Sequence, residues 1–329
     1  MDFRGFGSAL VAGGLLVTAA PAVADDVIRC VYPFWFGFAP VPVAQELGYF
    51  EEEGLEVLTV FDNDRANVLP AFETGDIDCT MRTIGEYMSR PRTAATPGTI
   101  IGTIDVSVGA DGVVAAPGID DVADLVGKVF AGEINHPGTV MTQHALAEKG
   151  LGLDQVEMRL INTDDSIAVF EDPGVAAVAT WEPMMSNIVE NTSRSGAKIL
   201  LTSADFNGLI TDVIIVRDAD LAADPEKYRK FLRGIYRAVA LYESDPAAFL
   251  AAAAPAFDVT PDEMAADLGG VQYTNYEQSV AFLGTEAAPG KLAEIFADLN
   301  AINLSLDLQD TALVYERQVD PSLLDGLFE

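Results

Sequence analysis

Along the first two-thirds of the chain, short apolar runs bounded by Gly, Pro, Asp and Asn alternate with stretches whose apolar residues recur at helical spacing. Val27–Tyr32, Leu55–Phe61, Ile77–Arg82 and Gly98–Ile104 read as strands, with helices over Pro40–Leu47, Leu69–Thr74 and Ile84–Ser89 between them. The same rhythm restarts in the middle. Val113–Ala116, Val129–Ala131, Met158–Ile161, Val175–Thr180 and Lys198–Thr202 read as strands, and Val140–Lys149 (closed by Gly150), Ser166–Phe170 and Pro183–Glu190 as helices. Strands and helices alternating at this spacing predict βαβ units, hence an α/β fold with mostly parallel sheets flanked by helices. One more strand, Asp212–Arg217, precedes a tail that reads as wholly helical. There Asp224-Pro225, Asp245-Pro246 and Thr260-Pro261 open successive helices, with Glu263 at the capping-box position after Thr260.

Two α/β halves without a long linker predict a chain that crosses between lobes twice, near 105–115 and 203–212. The expected organisation is lobe I from 25–110 and again from 205–329, with lobe II (111–204) inserted between. Residues 1–24 carry Arg4, an apolar run over Ala9–Ala20 and the small-x-small site Ala22-Val23-Ala24. That pattern reads as a signal peptide cleaved after Ala24, with export to the periplasm.

Composition narrows the partners. Fifty-one acids face 19 bases, for a formal net charge of -32. Such a chain repels phosphate backbones and anionic lipid, so nucleic acid is excluded as a partner. The acids are spread along the sequence; a solvated acidic surface suited to salt and a cationic ligand both fit. Cys30 and Cys79 fall on predicted strands that can be neighbours, and a bridge and two buried thiols both fit that placement. No cysteine spacing suits a metal, and the chain has two His, His136 and His144. A G-x-S-x-G elbow, P-loop, H-E-x-x-H and post-strand G-x-G-x-x-G are all missing from the sequence. No catalytic residue, metal or cofactor is therefore expected.

The segment from Ala39 to Val57, APVPVAQELGYFEEEGLEV, resembles the nitrate/sulfonate/taurine and thiamine-pyrimidine-precursor group of periplasmic binding proteins. Further pieces match in order: Gly75-Asp76-Ile77-Asp78, the crossover Asp105–Gly112, Val122–Lys128 and Thr180-Trp181-Glu182-Pro183. The resemblance covers essentially the whole chain after residue 24. It implies a two-lobed, type II binding-protein fold that closes on a small-molecule ligand by hinge motion. It also implies a monomer whose partners are the permease and ATPase of an ABC importer, with no enzymatic activity. The alternatives on the same fold are an enzyme like the thiamine-pyrimidine synthases and a periplasmic sensor or adaptor.

Ligands of open α/β sheets sit beyond the carboxyl ends of strands, which nominates the residues there. Phe34, Trp35, Phe36 and Phe38 follow the first strand and read as cleft wall or core. Gly138 and Thr139 precede the helix at 140, where family members hold an acidic ligand group; a plain N-cap is the other reading. Trp181 is a candidate ligand platform, and Glu182 either a ligand contact or a helix cap. Asp62, Thr83, Asp105, Ser107 and Asp212 complete the candidates, with Asp105 and Asp212 equally placed for a hinge role. Arg82 reads as a surface ion pair unless it faces the cleft. The family permits sulfonates and taurine as well as amines and heteroaromatic rings such as pyrimidine precursors. Acids and aromatics with few bases favour the second class, because aromatic faces hold cations and flat rings.

Overall fold

The computed structural model describes residues 26–88, 98–134, 136–206, 208–285, 287–305, 307 and 309–329. The expected signal peptide and Ser89 lie outside the described residues. Every strand expected from the apolar runs forms, with its ends displaced by a residue or a few. They are β1 (Asp26–Tyr32), β2 (Leu55–Phe61), β3 (Cys79–Thr83), β4 (Thr99–Ser107), β5 (Asp111–Ala115), β6 (Val129–Ala131), β7 (Glu157–Arg159), β8 (Val175–Trp181), β9 (Lys198–Thr202) and β10 (Thr211–Val216). An eleventh, β11 (Val271–Tyr273), lies in the tail expected to be wholly helical, as does a small hairpin pairing Gly284–Thr285 with Ala288–Pro289. Both correct that expectation. Val271 and Tyr273 are buried and Gln272 exposed, so alternation is present, over a stretch too short to stand out from its helical flanks.

The strands form two sheets, ordered β11-β4-β10-β3-β1-β2 and β7-β6-β8-β5-β9. The first takes strands from both ends of the chain and the second from its middle. The chain passes between them after β4 and again after β9. Both sheets are mixed rather than mostly parallel. β1 runs parallel to β2 and β3, but β10 is antiparallel to both β3 and β4, and β5 to both β8 and β9. The cause is the double crossing. A strand that arrives from the other lobe, as β5 and β10 do, has no βαβ crossover to set its direction.

Cys30 and Cys79 sit opposite each other on β1 and β3 and are joined by a disulfide. The helix starts expected in the tail form as written. Asp224 accepts from Lys227 N–H, Asp245 from Ala248 N–H, and Thr260 and Glu263 form the reciprocal box. The long helix Pro225–Ser244 buries Tyr228, Phe231, Leu232, Ile235 and Val239 against the first sheet's core. No helix among the described residues is long and apolar enough to cross a membrane.

The larger core fills lobe I and continues across the cleft to Val140, Met141 and Trp181, while two smaller ones cover the faces of the second sheet. The lobes are therefore packed together. Val140, on the helix Pro137–Glu148, stands over Gly85 on the helix Ile84–Met88, where a Cβ would lie 3.4 Å from Val140 Cγ2. Nearby, Asn63 Nδ2 in lobe I donates to both oxygens of Asp164 in lobe II, at 3.2 and 3.3 Å. At the crossovers, the Ser107 and Ser203 hydroxyls are 2.7 Å apart, and Gly109 N–H also donates to Ser203 Oγ at 2.7 Å.

Candidate functional site

Strand register builds the site's two faces. In lobe I, Thr83, Asp212, Asp105 and Tyr273 stand opposite one another in sequence across β3, β10, β4 and β11. In lobe II, Asp111 on β5 stands opposite Trp181 at the end of β8. Between these rows lies a cavity of about 30 Å³, lined by Pro33, Trp35, Phe38, Thr83, Glu86, Asp111, Pro137, Trp181 and Asp212. A space of that size holds about one or two water molecules, far below the several hundred Å³ of a typical ligand pocket. The cleft is shut.

Five of the nominated residues meet there: Trp35, Phe38, Thr83, Trp181 and Asp212. Phe38 also packs edge-on against Tyr32. Thr83 and Glu86 cap the helix Ile84–Met88 reciprocally: Thr83 N–H donates to Glu86 Oε2 and Glu86 N–H to Thr83 Oγ1, both at 3.2 Å. Asp105 lies one layer behind, where it accepts from the Trp35 indole N–H at 3.3 Å.

The other nominees have other occupations, and none lines the cavity. Phe34 belongs to an aromatic cluster with Phe36, Phe61 and Phe257. Asp62 accepts from Asp64 N–H and Asn67 Nδ2 in the following turn. Ser107 ties the crossovers together through Ser203 and accepts from Asp111 N–H at 3.2 Å. Glu182 takes the cap reading, accepting from both the N–H and the hydroxyl of Ser186. Gly138 serves packing: a Cβ there would come within 2.6 Å of Gly112 O and 2.9 Å of Ala179 Cβ. Its N–H donates to His136 Nδ1 at 2.9 Å, so His136 is the N-cap. Thr139 is fully buried beside Gly132 and its hydroxyl has no hydrogen-bond partner among the described residues.

Arg82 requires a correction as well. Instead of a surface ion pair it is a fully buried side chain near Asp212, with Nη2 3.4 Å from Thr80 Oγ1. A rare base in an acidic chain looks solvent-facing in sequence. The register of β3 turns it inward.

Sequence reasoning missed Glu86, Asp111 and His136. For Glu86 a signal existed, because Thr83-x-x-Glu86 has capping-box spacing at the end of an apolar strand. Asp111 is marked only by its place at the crossover. His136 stacks on Trp181 with ring centroids 4.9 Å apart and planes 7° from parallel, a relation no local pattern carries.

Electrostatically the site is crowded with acid. Asp105, Asp111, Asp212 and Glu86 are all buried, with Arg82 as the cation among them. Burial, partly offset by hydrogen bonds from Trp35 and Asp212, pushes the Asp105 carboxyl up to about 7. Burial and the charges of Asp105 and Asp111 push Asp212 well above the ordinary carboxylate range. Asp105 and Asp212 stand opposite each other on β4 and β10, both buried, and Asp105 Oδ2 meets no N–H or hydroxyl donor among the described residues. Two buried carboxyl groups side by side repel when both are ionised, which favours holding a proton between them.

Residues 35–248 match the family described as NMT1/THI5 like. A chain from Brucella abortus (strain 2308) that carries the name of a binding protein is 26% identical over 244 residues, covering 72% of this chain and 74% of that one. The 4-amino-5-hydroxymethyl-2-methylpyrimidine phosphate synthase of Aspergillus parasiticus is 27% identical over 222 residues, 64% of each chain. Among solved structures, the alkanesulfonate-binding protein SsuA from Xanthomonas axonopodis pv. citri, bound to MOPS, superposes with a TM-score of 0.68 at 16% identity. That match covers 92% of this chain and all of SsuA, and it shows the fold. With more than half its length matched to the family pattern, the chain belongs to the NMT1/THI5-like family and has the two-lobed architecture of periplasmic binding proteins.

Proposed function

We propose that this chain is a periplasmic solute-binding protein that closes on a flat, positively charged or N–H-rich solute and hands it to an ABC importer. The observation that carries the reading is the lining itself: two indoles, Trp35 and Trp181, share one cavity with the carboxyl groups of Asp212, Asp111 and Glu86. Indole faces attract cations through the ring quadrupole and accept flat rings by stacking. Buried carboxylates reward N–H donors and penalise a sulfonate or carboxylate brought beside them. A single buried Arg does not reverse that balance. Admission of a solute requires the lobes to part at the crossovers after β4 and β9, which would also break the Asn63–Asp164 contact.

A thermal-shift panel on the purified protein tests this. It sets aminopyrimidines, amidines, guanidino compounds and betaines against taurine, alkanesulfonates and nitrate. A ligand at a hundred times its dissociation constant stabilises by about 2.7 kcal/mol. The expected result is a shift from the cationic and aminopyrimidine classes that falls to less than half in Trp181→Ala. A response to sulfonates alone, or one undiminished in Trp181→Ala, overturns the proposal. Turnover of a responding aminopyrimidine would move the chain towards the chemistry named for its Aspergillus relative.

A further inference from the structure

Two walls of the cavity are joined behind it. Asp212 lines the space directly; its neighbour in strand register, Asp105, does not, but stands opposite Asp212 on one side and accepts from the Trp35 indole N–H on the other. Gly37 makes the contact feasible. A Cβ at that position would stand 2.2 Å from Trp35 Nε1 and 2.3 Å from Asp105 Oδ2, so only glycine lets the indole and the carboxyl meet. The carboxylate wall and the aromatic wall thus meet at Asp105.

From this arrangement we propose that Asp105 and Asp212 act as a single proton-holding pair that sorts solutes by charge, a cation binding at Asp212 by displacing the pair's shared proton to solvent. The inference rests on the solute reading given above and deepens it. With the cleft empty, the proton relieves the repulsion of two buried carboxylates. A cation supplies the missing positive charge, the proton becomes redundant, and both carboxyl groups ionise. An anion offers no such exchange and meets the pair's negative charge instead.

The groups facing the pair are consistent with a single exchangeable proton. Arg82 on β3 lowers Asp212 and Asp111 on β5 raises both carboxyl groups, while Tyr273 on β11 is itself pushed upward by burial and by Asp105. Glu86 lines the same cavity from beside Thr83, and His136 stacks on Trp181. The Trp35 indole donates to Asp105 in either state, so the ring wall stays in place while the charge changes.

Two measurements on the purified full chain test the proposal. In the ligand-free protein, the Trp35 indole N–H resonance should titrate near neutral pH and stop doing so in Asp105→Asn. A resonance flat with pH in the wild type overturns the proposal whatever ligand is found. Calorimetry with benzamidine, whose amidinium stays charged through the titrated range, should show release of about one proton and an affinity that rises by about tenfold per pH unit on the acid side. In Asp105→Asn the pH profile should flatten with binding retained at mildly basic pH. A merely structural Asp105 would instead lower affinity equally at every pH, and that outcome also sinks the idea. Benzamidine binding without proton release overturns the proposal alone; no binding by any cationic probe overturns the solute reading and the proposal with it.

Discussion

The two faces of the cleft are built from different materials. The lobe I face is a row of strand-end side chains in register, Thr83, Asp212 and Asp105, with the Trp35 indole N–H bonded to the last. The lobe II face is a stack: Trp181 lies flat on His136, which caps the helix Pro137–Glu148. Lobe I holds the ionisable machinery and is covalently braced where β1 and β3 meet. Lobe II presents a stiff apolar lid with one carboxyl, Asp111, beside it. The division suggests that charge discrimination belongs to lobe I and shape discrimination to lobe II.

The largest expected effect strikes the brace. Replacing Cys30 and Cys79 together by Ala opens a loop spanning 49 residues of sequence separation and should cost about 4 kcal/mol, read as a lower denaturation midpoint. Next, Asp212→Asn should weaken amidine binding by about 3 kcal/mol, over a hundredfold, and leave neutral heteroaromatic ligands much less affected. Trp181→Ala should cost about 2 kcal/mol for cationic and neutral rings alike. If both substitutions hit the two ligand types equally, the faces do not divide the labour.

Smaller still is a stability effect. The folded Asp105–Asp212 pair keeps a proton that the unfolded carboxyl groups release near pH 4, so the wild type should lose stability as pH rises from about 4 to about 7. Asp105→Asn should remove much of that loss and be more stable at pH 8 by about 1–2 kcal/mol, checked by denaturant unfolding at both ends of the range. Last, Glu182→Gln should weaken only the cap on Ser186, by about 0.5 kcal/mol, with ligand affinity unchanged.

Much of the fold was legible because it is locally encoded. The apolar runs marked the strands from β1 to β10, and Asp224, Asp245 and Thr260 announced their helices by capping chemistry alone. What escaped depends on neighbours distant in sequence. Strand direction followed from the two crossovers, and β11 is held by pairing to β4 rather than by its own three residues. The same limit applied to the site. Trp35, Phe38, Thr83, Trp181 and Asp212 stand at strand ends, a position that can be read. Asp111 joins them through pairing with Trp181, Arg82 turns inward by register, and His136 acquires its role by stacking on Trp181.

The Ser107–Ser203 hydroxyl bond has a mechanical consequence. Two separate ribbons joining two bodies would allow them to twist and slide as well as to bend. Bonding the ribbons side by side, with Gly109 N–H fastened to the same oxygen, stiffens sliding and leaves bending as the soft coordinate. The closure proposed above would then have one dominant degree of freedom, returning the rows that carry Asp212 and Trp181 to the same alignment each time. On that reading, the precision of the closed cleft would rest on two small hydroxyls outside it.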